Sequence, residues 1–212
     1  MARGGLKRRV VVISAVVAAS AATMTTTATA AEVEGPSAGK KPVAAVATAS
    51  VDYDVWKRDV ERAVADALPY IEKRSQDASR EKLAIVLDID NTSLETHFHP
   101  LPPTPAVQPV LKAVKAANSK GVSIFFVTAR PGIIGSITKN NLEQVGYPVT
   151  GLYDRGLGDI FGSVSEFKTA KRAEIESKGY SIIANIGNNS TDLVGGHAES
   201  TVKLPDYDGQ LS

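Results

Sequence analysis

Five consecutive apolar residues, Leu83-Ala84-Ile85-Val86-Leu87, run straight into Asp88-Ile89-Asp90-Asn91-Thr92. An unbroken apolar run of this length predicts a strand covered on both faces, as in a parallel sheet flanked by helices. In extended backbone, residues two apart project to the same side, so Asp88 and Asp90 would reach one site while Ile89 turns into the core. Two carboxylates so close need a cation or a shared proton. A hard divalent ion such as magnesium would meet the first need. A shared proton would instead leave one carboxyl as a general acid. A solvated turn after a core strand is the plainer alternative for these five residues. A calcium loop is excluded, because the positions that need Asx, Gly and Glu hold Thr92, Ser93 and His99.

The surrounding pattern sets the fold class. Trp56, Val60, Ala63, Val64, Ala67, Leu68 and Ile71 recur at three- and four-residue steps and predict an amphipathic helix that Pro69 should kink or split. A helix is expected from Val107 to Ala117, stopped by Gly121, then a strand from Val122 to Val127. The alternation continues with a helix over Ile133–Val145, a short strand at Gly151–Tyr153 and a helix over Phe167–Lys178. Strands follow at Tyr180–Ile186 and Ser200–Leu204. Strands alternating with helices imply right-handed crossovers and a three-layer, Rossmann-like α/β sandwich around a central parallel sheet. In such a sheet ligands sit at the carboxyl ends of strands, here Asp88, Thr128 and the turn after Ile186.

The N-terminus reads as a leader. Arg3 to Arg9 is basic, Val10 to Ala19 is apolar, and Ala28-Thr29-Ala30 offers small residues for cleavage after Ala30. The apolar run is too short to span a bilayer and is followed by Thr25-Thr26-Thr27. A secreted protein with no lasting membrane anchor is therefore expected. The expected division is residues 1–30 as signal segment, 31–50 as a flexible linker, 51–80 as an N-terminal helical extension and 81–212 as the core domain. The leader holds four cations and no acid, so the other 182 residues carry 20 cations against 23 acids. That balance argues against nucleic acid as a partner. The absence of cysteine removes disulfide, thiolate-metal and cysteine-nucleophile chemistry together.

Two further segments carry chemistry. Thr128, in Phe126-Val127-Thr128-Ala129-Arg130, could donate its hydroxyl to a phosphate oxygen, although a threonine there more often caps a helix and Arg130 is more often a surface cation. Lys168, in Phe167-Lys168-Thr169-Ala170-Lys171-Arg172, could offset phosphoryl charge, or belong to a solvated helix face. His97 and His99, in the proline-containing loop Glu95–Thr104, could bind zinc, but without further ligands they are more simply loop residues.

Taken in order with Gly187-Asn188-Asn189-Ser190-Thr191-Asp192, these segments resemble the haloacid-dehalogenase-like (HAD) phosphohydrolases. More narrowly, they are similar to the acid phosphatase branch that includes plant vegetative storage proteins. The resemblance spans about residues 53–206 and implies a HAD core without a large cap domain. It makes Asp88 the nucleophile and Asp90 the acid/base, with Thr128 and Lys168 holding phosphate. Mg2+ would be bound by Asp88, the Asp90 carbonyl, Asn188 and Asp192. The implied substrate is a small-molecule phosphate monoester, cleaved through an aspartyl-phosphate. A phosphotransferase using the same intermediate, and a non-catalytic storage or phosphate-binding protein, are the alternatives. Where the resemblance leads one to expect Gly-Asp, this chain has Gly187-Asn188, which removes a charged metal ligand and predicts weaker metal binding. With only about 35 residues between the Asp88 and Thr128 segments, a separate specificity domain has no room there, and the site should be fairly open.

Overall fold

The computed structural model describes residues 50–211. The expected leader and nearly all of the expected linker lie outside the described residues.

Helix α1 (Tyr53–Ser75) begins where the Asp52 side chain accepts a hydrogen bond from the Val55 amide at 2.8 Å, satisfying an otherwise orphaned donor. Pro69 lies inside α1 without splitting it. Residues buried before it (Trp56, Val60, Val64) and after it (Ile71, Ser75) pin both halves of the helix, so tertiary packing overrides the lost hydrogen bond. Then follow β1 (Leu83–Leu87), α2 (Gln108–Asn118), β2 (Ser123–Pro131), α3 (Gly135–Gln144) and β3 (Gly151–Arg155). The chain continues through α4 (Val164–Ser177), β4 (Ser181–Gly187), the short α5 (Ser190–Leu193) and β5 (Thr201–Lys203). Gly121, at φ 103°, follows α2 as the sequence predicts.

The five strands form one parallel sheet in the order β3-β2-β1-β4-β5. β1 is central and buried throughout. Its alternate residues feed two separate cores. Leu83, Ile85 and Leu87 join Trp56, Val60, Val110 and Val114 on the α1/α2 side, while Ala84 and Val86 join Phe167 and Ile175 of α4 on the other. This is the three-layer α/β arrangement that the sequence predicts. Between β1 and β4 the register shifts at Ala84/Ile85, placing one extra residue, Ile183, on the β4 side. Pairing nonetheless continues past the end of β1, where the Asp88 amide donates to the Ile186 carbonyl at 3.0 Å.

Trp56 is fully buried, and Phe98 packs against it at a tilt of 41° with ring centroids 4.9 Å apart. Replacing a buried tryptophan removes its transfer energy and leaves a cavity. Trp56→Ala is expected to cost about 3–5 kcal/mol, measurable as a lower midpoint in urea unfolding. A loss below about 1 kcal/mol would mean that α1 is not an integral layer.

Candidate active site

The site forms where β1, β2 and β4 end. After β1 the chain turns tightly: the Ile89 carbonyl accepts from the amides of Ser93 and Leu94, both at 2.9 Å, and Asn91 sits at φ 56°. Ile89 is buried in the α1/α2 core, whereas Asp88 and Asp90 both line a cavity of about 500 Å³. The two carboxylates do share one side of the chain.

Lys168, on the first turns of α4, is buried and bridges two carboxylates. Its Nζ stands 2.5 Å from Asp88 Oδ1 and 2.5 Å from Asp192 Oδ1. The helix-face alternative for this lysine is excluded by that burial. Asp192 also accepts the Asn189 amide at 2.8 Å through its other oxygen, closing a capping box at the start of α5. This turn explains Gly187: a Cβ there would lie 2.3 Å from the Asp192 Cβ. Burial pushes the Asp88 carboxyl up to about 6, with the Lys168 charge working against that rise. Burial also works against the charge on Lys168, but Asp88 and Asp192 together raise it above its ordinary value.

Asp90 is held differently. Arg130 forks onto it, Nε to Oδ2 at 3.0 Å and Nη2 to Oδ1 at 2.7 Å, and extends Nη1 to Thr138 Oγ1 at 3.2 Å. Burial alone would raise the Asp90 carboxyl, but the Arg130 hydrogen bonds and charge outweigh it and lower it. The sequence alone favours a surface cation at Arg130, and the structure instead pairs it with Asp90. The signal that could have found it is its spacing: β2 runs on to Pro131 rather than stopping at Val127, so Thr128 and Arg130 stand two apart on extended chain. The pairing of β2 with β3 shifts register between Val127 and Pro131, which frees this stretch to turn toward β1. Thr128 itself is fully buried and is not among the residues lining the cavity, although the next residue, Ala129, is; its hydroxyl accepts the Arg130 amide at 3.2 Å. A hydroxyl that accepts there keeps its proton to donate.

Asn188, directly after β4, is buried and lines the cavity. Its amide N–H donates to Thr92 Oγ at 3.0 Å, and Thr92 Oγ donates to Asn188 Oδ1 at 3.1 Å. His97 lines the cavity, while His99 stands with its Nε2 3.6 Å from the Glu95 carboxylate. Glu95 is buried and accepts the Tyr53 hydroxyl at 2.6 Å, which ties α1 to the loop beside the site. Buried Arg172, not anticipated from sequence, donates to the main-chain carbonyls of Asp192 and Gly196 at 2.8 and 2.9 Å. Among the described residues, no group of three or more His, Asp or Glu side chains is disposed to hold a metal ion by itself.

The family model of HAD superfamily, subfamily IIIB (acid phosphatase) matches residues 103–210, just over half of the chain. The chain belongs to that family. Two curated soybean (Glycine max) proteins, the stem 28 kDa and stem 31 kDa glycoproteins, are each 36% identical to it over 106 residues. The match covers 48% of this chain but only 41% and 36% of theirs, so the alignment spans about two fifths of the length of these relatives. Among solved structures, a class C acid phosphatase from Bacillus anthracis, crystallised with tungstate bound, superposes with a TM-score of 0.58. The superposition covers 74% of this chain and 80% of that one at 19% identity, and so establishes a shared HAD fold. As a HAD acid phosphatase family member, the chain carries its cluster of acidic and basic side chains at the strand ends where this fold binds ligands. No described helix is long and apolar enough to cross a membrane.

Proposed function

We infer that the protein is a secreted, Mg2+-dependent acid phosphatase that hydrolyses small phosphate monoesters through an aspartyl-phosphate on Asp88. The observation that carries this reading is that Asp88, Asp90 and Lys168 line one cavity at the end of β1, with Arg130 of β2 paired to Asp90 behind them.

The charge balance supports a metal. Asp88, Asp90 and Asp192 against Lys168 and Arg130 leave one net negative charge in a largely buried site. A phosphate dianion entering alone would meet net repulsion. The oxygens of Asp88, the Asp90 carbonyl, Asn188 and Asp192 form an all-oxygen set suited to a hard dication, with one carboxylate fewer than the family pattern. Bound there, Mg2+ would act as a Lewis acid on the phosphoryl oxygens and offset their charge.

The side chains then divide the work. An Asp88 carboxylate oxygen attacks phosphorus in line, forming an acyl phosphate on Asp88 as the bond from phosphorus to the leaving oxygen breaks. Asp90 delivers a proton to that oxygen, so the product departs as a neutral alcohol. Water next attacks phosphorus, Asp90 takes its proton, and the Asp88 carboxylate leaves. Lys168 and Thr128 would hold non-bridging oxygens. For Asp90 to carry a proton, the Arg130 fork must loosen. A phosphoryl group competing for the guanidinium supplies that change only when substrate is bound.

The test is phosphate release from an aryl phosphate, with added magnesium and with chelator. Release that requires magnesium is the expected result. No release under either condition would instead support the reading that Asn188 favours, a phosphate-binding protein without turnover.

A further inference from the structure

We propose that the C-terminal segment Asp206–Leu211 is a positioning element of the active site, matched to an amide rather than a carboxylate at position 188. The Leu211 main-chain carbonyl accepts two side-chain amides, from Asn91 Nδ2 at 2.7 Å and from Asn188 Nδ2 at 3.0 Å. Both asparagines are buried and line the cavity, and each follows a strand that supplies site residues. A single carbonyl therefore links the turn after β1 to the turn after β4.

This contact decides which way the Asn188 amide faces. With its NH2 group committed to Leu211, its oxygen is directed to the Thr92 hydroxyl, which already accepts from the Asn188 amide N–H and so has its proton free to donate. Reversing the amide would set oxygen against the Leu211 carbonyl, two acceptors with no proton between them. A carboxylate at 188 has the same defect in either orientation. The family-pattern aspartate thus conflicts with this segment, and Asn188 with Leu211 forms a compatible pair.

The segment is built to hold that carbonyl in place. Tyr207, Asp208 and Gly209 all lie in the left-handed region, at φ 49°, 55° and 83°, a run that persists only when both flanks are fixed. On one flank Lys203 pairs with Asp206 at 3.0 Å, and the Tyr207 hydroxyl donates to Asp59 of α1 at 2.8 Å. On the other the Leu211 side chain is buried in the α1/α2 core and its amide donates to the Asp206 carbonyl at 3.2 Å.

The proposal rests on the phosphatase reading only for its effect on magnesium, since the coupling itself is a property of the folded chain. Four proteins test it: the full chain, Asn188→Asp, the chain ended after Gly209, and both changes together. In chelator above pH 7, each single change is expected to lower Tm by roughly 3–8 °C. The loss caused by Asn188→Asp should be at least halved in the shortened chain, because the clash with the Leu211 carbonyl needs both partners while the added negative charge does not. Losses that simply add would overturn the coupling. The positioning role is read from the magnesium concentration giving half of the metal-induced rise in Tm. It should increase at least about fivefold on shortening, and return to the natural value for the full chain carrying Leu211→Met, which keeps carbonyl and anchor. Equal values for the shortened and natural chains would overturn it. If the shortened chain does not fold, Leu211→Ala, which weakens only the anchor, takes its place in the same cycle. A natural chain whose Tm ignores magnesium would overturn the metal assignment above, leaving the cycle in chelator to decide the coupling.

Discussion

Asp88→Asn is expected to lower phosphate release by about 10⁴-fold or more while raising the stability of the metal-free protein above pH 6. The kinetic effect follows from the role inferred for this carboxylate, because an amide cannot form the acyl phosphate, while Asp90 is held by Arg130 and Asp192 by Lys168 and the Asn189 amide. The effect on stability follows from burial. The folded Asp88 carboxyl is pushed up to about 6, above its unfolded value near 4. A carboxyl raised on folding makes the folded state bind more protons between those two values, so its contribution turns unfavourable as pH climbs from about 4 to about 7. Asparagine keeps the size and an oxygen for Lys168 but cannot ionise. The Tm difference between variant and natural protein should therefore widen across that window in chelator and be smallest near pH 4. A variant with near-normal turnover would remove Asp88 as nucleophile. A Tm difference independent of pH would mean that the carboxyl is not strained by burial.

Lys168→Met is the second large effect, and it falls on folding as well as on activity. One ammonium bridges Asp88 and Asp192, and all three groups are buried. Removing the cation leaves two like charges facing each other without compensation, which costs about 3–5 kcal/mol where both are ionised. The sign with pH is fixed by the same geometry. Lys168 is raised on folding, so its stabilisation is fully present below its unfolded value near 10. The loss on substitution is therefore greatest near pH 7–8. It should shrink as pH falls and the carboxyls of the variant protonate. Urea unfolding at pH 7.5 and pH 5 measures both arms. A cost under about 1 kcal/mol at pH 7.5 would show that the bridge contributes little, as exposed ion pairs do.

Much of the architecture was legible because it rests on local patterns. The apolar run Leu83–Leu87 announced a doubly covered strand, and the structure places it at the centre of the sheet with alternate residues in two cores. The alternation of short strands with amphipathic helices carried the parallel α/β class, and boundaries moved by only a few residues. Where local rules stopped short, packing decided: α1 is not split at Pro69, and β2 continues past Val127 through a register shift.

The amino-acid sequence by itself determined that two acidic groups would leave a central strand on one side, that a hydroxyl and a lysine would follow at strand and helix ends, and that an asparagine stands in a position of the motif where a carboxylate was expected. Only the tertiary structure decided the pairings among them. That Lys168 bridges Asp88 to Asp192, that Arg130 takes Asp90, and that Leu211 turns the amide of Asn188 are contacts between residues 23 to 80 positions apart. Periodicity reports which face a residue occupies within its own element. Which buried charge meets which partner depends on how strands separated in sequence are laid side by side, and on the desolvation that makes each such pairing obligatory.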